Sequence, residues 1–352
     1  MSIYRNQTYI TWDLGATNCS VAYVKHNVEY DHFELLEQHT HPLTEFITLH
    51  DMVDCFEDNL KMRMSDVDGI LISAAGQYDG NTVHLATPYP FPMEFARVAK
   101  MRDWGQYAVV HDYVPVVCAT FIAGRNEQIE YLTLNHNEPV RHGRRVAFGV
   151  GTGLGLKDGV LLPDGNFWLG MNEMGHIGLC IPPRAYPDQI KLHNEFVTFL
   201  QKKGLIPSGR PLTFESILSG FGFGLIHEFF TDEITTPEEA ARQLQNDRKH
   251  PTLSLFAWYL GLFAGTVQLS FMPDAGLWIT GGVINKHLDL FDMPTFNEGV
   301  MSSPAYLTER KQMPLYVLTG DRYATIGGAY YASRQFKKRA YMPRLATNLQ
   351  VA

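Results

Sequence analysis

From Tyr9 to Val24 the chain reads YITWDLGATNCSVAYV, two apolar runs with a carboxylate, a glycine and a threonine at the break between them. Tyr9, Ile10 and Trp12 on one side, and Val21 to Val24 on the other, have the composition of β-strands. DLGATN between them is short and polar, as a hairpin turn is. Gly15 and Asn18 answer the needs of a tight turn. Asp13 at a strand end and Thr17 inside the turn are not demanded by turning, although an aspartate that merely caps the turn would account for the first.

The shape returns further along. RRVAFGVGTGLGLKDGVLL is again strand, glycine-rich turn and strand, with its core from Val146 to Leu162. Two such hairpins, each opening a region, suggest a faint internal duplication. After the first, a strand is expected near 28–35, then an amphipathic helix through PLTEFITLHDMVDCFEDNL, strands in VDGILISAAG and YAVVHDY, and a helix in PVVCATFIAG. After the second come the loop NFWLGMNEMGHIGLC, helices around 189–203 and in TFESILSGFGFGLIHEFF, the strand and glycine pair of AGLWITGGVINKH, the strand PLYVLTG and a terminal helix, YATIGGAYYASRQFKKRA. Strands alternating with helices give an α/β protein with mixed sheets. A hinge is expected near Asp112, dividing the chain into a smaller α/β domain, residues 1–112 with 326–352, and a larger one, 113–325.

At 352 residues, 45% hydrophobic and 19% charged, the composition is that of a folded globular chain. A formal net charge of −8 argues against nucleic acid as a partner. Cys19, Cys55, Cys118 and Cys180 are dispersed without metal-ligand spacing, so they are expected to be reduced thiols, mostly buried. Pro251 to Pro273 carries no charge and approaches the length of a membrane span, yet Ser254, Thr266, Gln268 and Ser270 within it favour a helix buried in a domain core. The amino terminus lacks the basic, apolar and cleavage segments of a secretory signal, so a cytoplasmic protein with no membrane partner is expected.

Phosphate oxygens can be held by backbone N–H groups in a turn where no side chain blocks the approach. GVGTGLG, Gly149 to Gly155, offers four glycines at alternate positions and the hydroxyl of Thr152. It is no P-loop, and strand rather than helix follows it. Beside it DLGATN gains meaning: Gly15 and Thr17 could supply donors to a terminal phosphate, and Asp13 could place magnesium, which prefers carboxylate and water. WITGGV puts Gly281 and Gly282 where a strand gives way to a helix, flat backbone for a nucleoside or an ordinary turn. Asp112 closes an apolar strand before an apolar helix, where it could take a proton from a hydroxyl or cap the helix. Glu173 and His176 stand three residues apart on a loop. Glu215 follows Thr213, an N-cap candidate, and could simply favour the first helical turn.

The order of these pieces over nearly the whole chain resembles bacterial glucokinase, among the sugar kinases that share the ATPase fold of actin, hexokinase and the heat-shock chaperones. That family's phosphate motif D-x-G-G-T-N is matched from Asp13 to Asn18, with Ala16 for a glycine, and its G-T-G-L-G by Gly151, Thr152, Gly153, Leu154 and Gly155. Its Asn-Asp pair falls on His111 and Asp112, its G-E-G-G-H on Asn172 to His176 with Met174 for a glycine, its E-R-V-L-S-G on Glu215 to Gly220, and its adenosine glycines on Gly281 and Gly282. A segment bordering the sugar appears as Thr87, Pro88, Tyr89 and Pro90. The resemblance implies a two-domain, ribonuclease H-like ATPase fold with the ligand cleft between domains. It implies ATP with Mg2+ held through water at Asp13, and a hexose touched by Thr87, His111, Asp112, Glu173, His176 and Glu215. Asp112 is then the base that serves the 6-hydroxyl, and the family pattern suggests a homodimer. Glucose leads as substrate. An N-acetylhexosamine, fructose, or sugar binding with little catalysis remain alternatives, because Ala16, His111 and Met174 depart from the pattern.

Overall fold

The computed structural model describes residues 6–15, 17–85, 91–206 and 211–341. They form two compact units: Met1–Glu130 with Leu161–Trp168 and Gly320–Ala352, and Tyr131–Val160 with Leu169–Thr319.

In the first unit β1 (Gln7–Leu14), β2 (Asn18–Asn27), β3 (His32–Pro42), β4 (Gly69–Ala74), the ribbon strands β5 (Gly76–Tyr78) and β6 (Val83–Leu85), and β7 (Tyr107–His111) follow in order. The main sheet runs β3-β2-β1-β4-β7. β1, β2 and β3 pair antiparallel, while β4 and β7 run parallel to β1. In the second, β8 (Tyr131–Thr133), β9 (Arg145–Val150), β10 (Leu154–Leu161), β11 (Phe167–Leu169), β12 (Leu277–Thr280) and β13 (Leu315–Leu318) give the order β11-β10-β9-β12-β13-β8. Without β8 the two orders are the same, so the duplication suggested by the hairpins extends to the topology.

Covering on both faces explains the central strands. All six residues of β4 are buried, as in a strand sandwiched between layers. On one face Trp12 meets Phe56 and Phe95 edge-on at 4.9 and 5.3 Å. On the other lies the helix Tyr323–Tyr341, which packs on helix Tyr113–Thr120 so closely that a Cβ on Gly327 would stand 2.1 Å from the Pro115 carbonyl oxygen.

Several element boundaries differ from expectation for local reasons. The third strand is His32–Pro42, not 28–35, because the chain turns at Asp31 with φ 50° before it extends. The helix expected from Pro42 begins at Leu49, where Thr48 and Asp51 form a reciprocal capping box.

The uncharged helix Pro251–Phe271 is the core of the second unit, with Phe256, Trp258, Tyr259 and Phe263 buried. Its polar residues have partners: Ser254 Oγ donates to Asp292 Oδ2 at 2.7 Å, and Gln268 Oε1 accepts from the buried Arg310 Nε at 3.3 Å. Against it packs Met293–Val300, a helix the sequence reading did not identify. All four cysteines are free, with Cys19 and Cys118 buried and Cys55 and Cys180 partly so.

A Cβ on Gly261 would lie 2.1 Å from the Phe296 carbonyl oxygen, whereas Gly105 has nothing within 4 Å. Gly261→Ala should therefore lower unfolding stability by about 2–3 kcal/mol by forcing two helices apart, and Gly105→Ala should leave it within about 0.5 kcal/mol. Chemical denaturation of both variants checks the contrast.

Candidate active site

Parallel strands that end at one edge assemble the first unit's part of the site. Asp13 lies opposite Ser73 on β4, and Ala74 opposite His111 on β7. The turn after β1 closes through Gly15 N–H to the Asn18 carbonyl at 3.0 Å and is tied down by Leu43 N–H to the Thr17 carbonyl at 2.9 Å. Thr17 and Asn18 are exposed there. Ala16 lies outside the described residues, as does Thr87.

Asp13 does not merely cap the turn. Its Oδ1 accepts from Ser73 Oγ at 3.3 Å, and the same hydroxyl reaches the Trp12 carbonyl at 3.1 Å. The side chain reaches solvent, yet crowding by protein takes much of its hydration. That desolvation, with the Asp112 charge second, pushes the carboxyl up to about 6 despite the Ser73 bond.

Asp112 precedes helix Tyr113–Thr120, but its side chain makes no capping bond. Its Oδ1 lies 2.9 Å from His111 Nδ1, and both side chains are a little over a quarter exposed, at 27% and 30%. The capping alternative therefore fails, and the carboxylate keeps an oxygen for a ligand.

A cavity of about 260 Å³ opens beside Asp13. The β-ladders place Ser73, Asp13, Ser20 and Thr40 in one row across four strands, with Leu71, Thr11, Ala22 and Gln38 in the next. Pro115, Asp321, Ala324 and Thr325 complete the lining. Among the described residues no lysine or arginine lines the cavity, and the buried hydroxyl of Thr11 has no partner. Carboxylate and hydroxyl oxygens around space for water fit a magnesium ion that keeps much of its hydration. Among the described residues no three acids, histidines or cysteines gather to hold an ion alone, so the protein's contribution centres on Asp13.

The second unit repeats the geometry. Thr280 on β12 lies opposite Gly149 on β9, so the Gly281–Gly282 pair emerges beside the hairpin after β9. The turn is Gly151–Gly153, with Thr152 exposed at its tip and Gly151 N–H donating to the Gly153 carbonyl at 2.9 Å. Gly155 is outside the turn, in β10 opposite Gly149. Among the described residues the N–H groups of Thr152 and Gly153 have no protein acceptor. Gly281 has φ +103°, and a Cβ there would lie 2.3 Å from the Val150 carbonyl oxygen, so only glycine fits. Gly282 faces open space.

Glu215 joins the pieces. Thr213 does cap its helix, accepting from Ser216 N–H at 3.3 Å, but Glu215 Oε2 accepts from Leu154 N–H at 3.0 Å, on the hairpin itself. A Cβ on Gly153 would collide with that oxygen at 2.7 Å. Glu215 Oε1 stands 3.5 Å from His176 Nδ1. His176 thus faces Glu215, while Glu173 stands exposed at the start of the turn Met174–His176. Met174 packs against the apolar core, and Gly175 makes the close approach, 2.4 Å from its Cβ position to the Leu154 carbonyl oxygen. Ser73 escaped the sequence reading, and Gly220, seen there only as the end of a motif, donates its N–H to the Gly151 carbonyl at 2.8 Å. The small residues of ILISAAG and LSGFG were the only signal.

Two sheets of one strand order, each turned at a glycine hairpin that ends beside a carboxylate or a glycine pair, define an actin-like ATPase fold carrying a sugar-kinase site. The glucokinase family model matches residues 10–335, and the chain belongs to that family. The glucokinase of Pectobacterium atrosepticum is 22% identical over 324 residues, covering 91% of this chain and 95% of that one. The glucokinase of Allorhizobium ampelinum is 30% identical over 229 residues, 64% of each. Among solved structures, glucokinase from an Antarctic psychrotroph matches with TM-score 0.75 at 19% identity, over 92% of this chain and 98% of that one. Glucokinase from Balamuthia mandrillaris in complex with glucose matches with TM-score 0.75 at 16% identity, over 95% of each chain.

Asp13 supports a prediction with a definite sign. Its carboxyl sits at about 6 in the fold against an ordinary 3.8, so ionisation costs the folded state more than the unfolded one. This contribution is absent below about pH 4, where both states are neutral, and grows until about pH 6. Asp13→Asn, neutral throughout, should melt above the parent protein at pH 7.5 and level with it near pH 4. Paired melting curves test this; a variant that melts lower at pH 7.5 refutes it.

Proposed function

We propose that the protein transfers the γ-phosphoryl group of ATP to the 6-hydroxyl of a hexose, with glucose as the leading acceptor. The observation that carries this reading is the carboxylate of Asp112, at a helix start yet spent on no cap, near a second carboxylate at the phosphate-type hairpin. Family membership supports the chemistry. The glucokinase of Streptomyces griseus, solved with glucose and AMPPNP, has the same fold at TM-score 0.56 and 17% identity over 92% of this chain and 98% of that one.

Asp112 takes the proton from the hydroxyl as its oxygen attacks phosphorus. Gly15, Thr17 and Asn18 in the first unit, and Gly151, Thr152 and Gly153 in the second, supply backbone and hydroxyl donors to phosphate oxygens. Gly155 keeps the hairpin bare at its strand end, and Gly281 with Gly282 gives the adenosine its surface. Asp13 holds Mg2+ through water. The ion supplies charge neutralisation at the phosphates, which is most of what a loose phosphoryl-transfer transition state asks for besides positioning. Glu173, His176 and Glu215, with His111 and Thr87, meet sugar hydroxyls. Met174, partly buried, packs against the apolar core, so that departure from the family pattern serves packing. In keeping with the family, the enzyme works in the cytoplasm and pairs as a homodimer.

A coupled ADP-release assay across glucose, mannose, fructose and N-acetylhexosamines tests the reading. Glucose should turn over fastest; thermal shifts without turnover would make the protein a sugar sensor, and a different best hexose would correct the substrate. Asp112→Ala should lower kcat by about 10² or more without lowering the melting temperature. Glu173→Ala should raise KM for the sugar alone. Glu215→Ala should raise KM for both sugar and ATP, because its carboxylate also anchors the hairpin at Leu154; separate titrations of the two substrates distinguish the residues.

A further inference from the structure

We propose that Asp158 is a positioning residue for the loop that meets the sugar: through Asn172 and Gly170 it fixes the main chain that presents Glu173. The role rests on the phosphotransfer reading above.

Between Leu169, the end of β11, and Met174 the loop has no apolar hold, for Met171 is 96% exposed and Glu173 is exposed as well. Polar bonds to β10 hold the segment instead. Gly170 N–H donates to the Asp158 carbonyl at 3.0 Å, and the buried Lys157 Nζ donates to the Gly170 carbonyl at 3.1 Å. Asn172 Nδ2 donates to Asp158 Oδ1 at 3.3 Å. A Cβ on Gly170 would overlap that same oxygen, so the main chain rests directly against the carboxylate.

Asn172 stands where the family pattern has a glycine, so its side chain needs a reason. Its Oδ1 is buried and accepts nothing among the described residues, which leaves the bond from Nδ2 to Asp158 as the contact that orients the amide. An ionised carboxylate only accepts, so the amide nitrogen and not its oxygen belongs there.

Asp158 is itself anchored. The residue is 2% exposed. Burial raises its carboxyl, and the Arg144 guanidinium, with Nε 3.8 Å from Oδ2, opposes that rise. Arg144 N–H donates to Asp274 Oδ1 at 2.7 Å, and its Nη1 donates to the Phe271 carbonyl at 3.1 Å, at the end of the helix Pro251–Phe271. A series of contacts thus runs from the core helix through Arg144 and Asp158 to Asn172, one residue before Glu173. Misplacing a binding group by about 1 Å is enough to cost an order of magnitude or more.

Kinetics with ATP and the best hexose, paired with hydrogen exchange, test the role. Asp158→Ala should raise the sugar KM about 10-fold, with ATP KM and kcat changed less than about threefold. Asp158→Asn, whose amide oxygen can still accept from Asn172, should keep the sugar KM within about threefold of the parent. Asn172→Ala leaves the strand and Arg144 untouched; it should reproduce the Asp158→Ala effect, and combining the two should add little. Amides 170–176 should exchange about 10-fold faster in either alanine variant, while those of β9 keep the parent rate. If Asp158→Ala does not fold, Asn172→Ala carries both readouts. A sugar KM within about threefold of the parent in the alanine variants, losses that multiply in the double variant, or unchanged exchange in the loop overturns the proposal. If no hexose turns over, the phosphotransfer reading falls and takes the KM argument with it, while loop exchange still decides whether Asp158 anchors the loop.

Discussion

A strand that must pair antiparallel on one side and parallel on the other governs this molecule. β1 forms a hairpin with β2 and runs parallel to β4, which in turn runs parallel to β7. Parallel neighbours finish at the same edge, so the hairpin turn, Ser73 and the His111–Asp112 pair are delivered together although nearly a hundred residues separate them in sequence. β9 in the second unit is held in the same way between β10 and β12, which brings the Gly151–Gly153 turn beside Gly281. The candidate site residues gather where the ladders end, where backbone amides run out of strand partners.

Placing groups in this way has an electrostatic cost. Crowding by protein, with the Asp112 charge second, holds the Asp13 carboxyl up at about 6. At neutral pH the Asp13 charge is thus disfavoured, next to a cavity with no lysine or arginine among the described residues of its wall. A divalent cation held there would offset that penalty. The second unit solves a different problem. Glu215 divides its two oxygens between the hairpin amide of Leu154 and His176, so the His176 loop and the glycine turn share one carboxylate.

Much of this could be read from the chain because short motifs dictate local geometry. Glycines at Gly15 and across Gly149 to Gly155, set between apolar runs, specify hairpins whatever surrounds them. The uncharged helix Pro251–Phe271 could be read as core because its polar residues needed partners, and Asp292 and Arg310 supply them. Met293–Val300 was missed because its helical state depends on packing against Gly261, a contact with no local signature. The neighbour of His176 could not be read for a related reason. Spacing shows only that Glu173 stands three residues away, whereas the fold brings the imidazole to Glu215, some forty residues away.

The sequence by itself therefore determined the hairpins, the strand-helix alternation, the identity of the acids and glycines, and the family pattern they make, since each depends on neighbours within a few positions. Tertiary structure alone decided which of those acids lie near one another. It left Asp112 free of capping and close to His111, raised Asp13 by desolvation with the Asp112 charge second, and packed Met174 against the core while exposing Glu173. Register and burial are properties of surfaces brought together from distant segments, and no local run of residues encodes them.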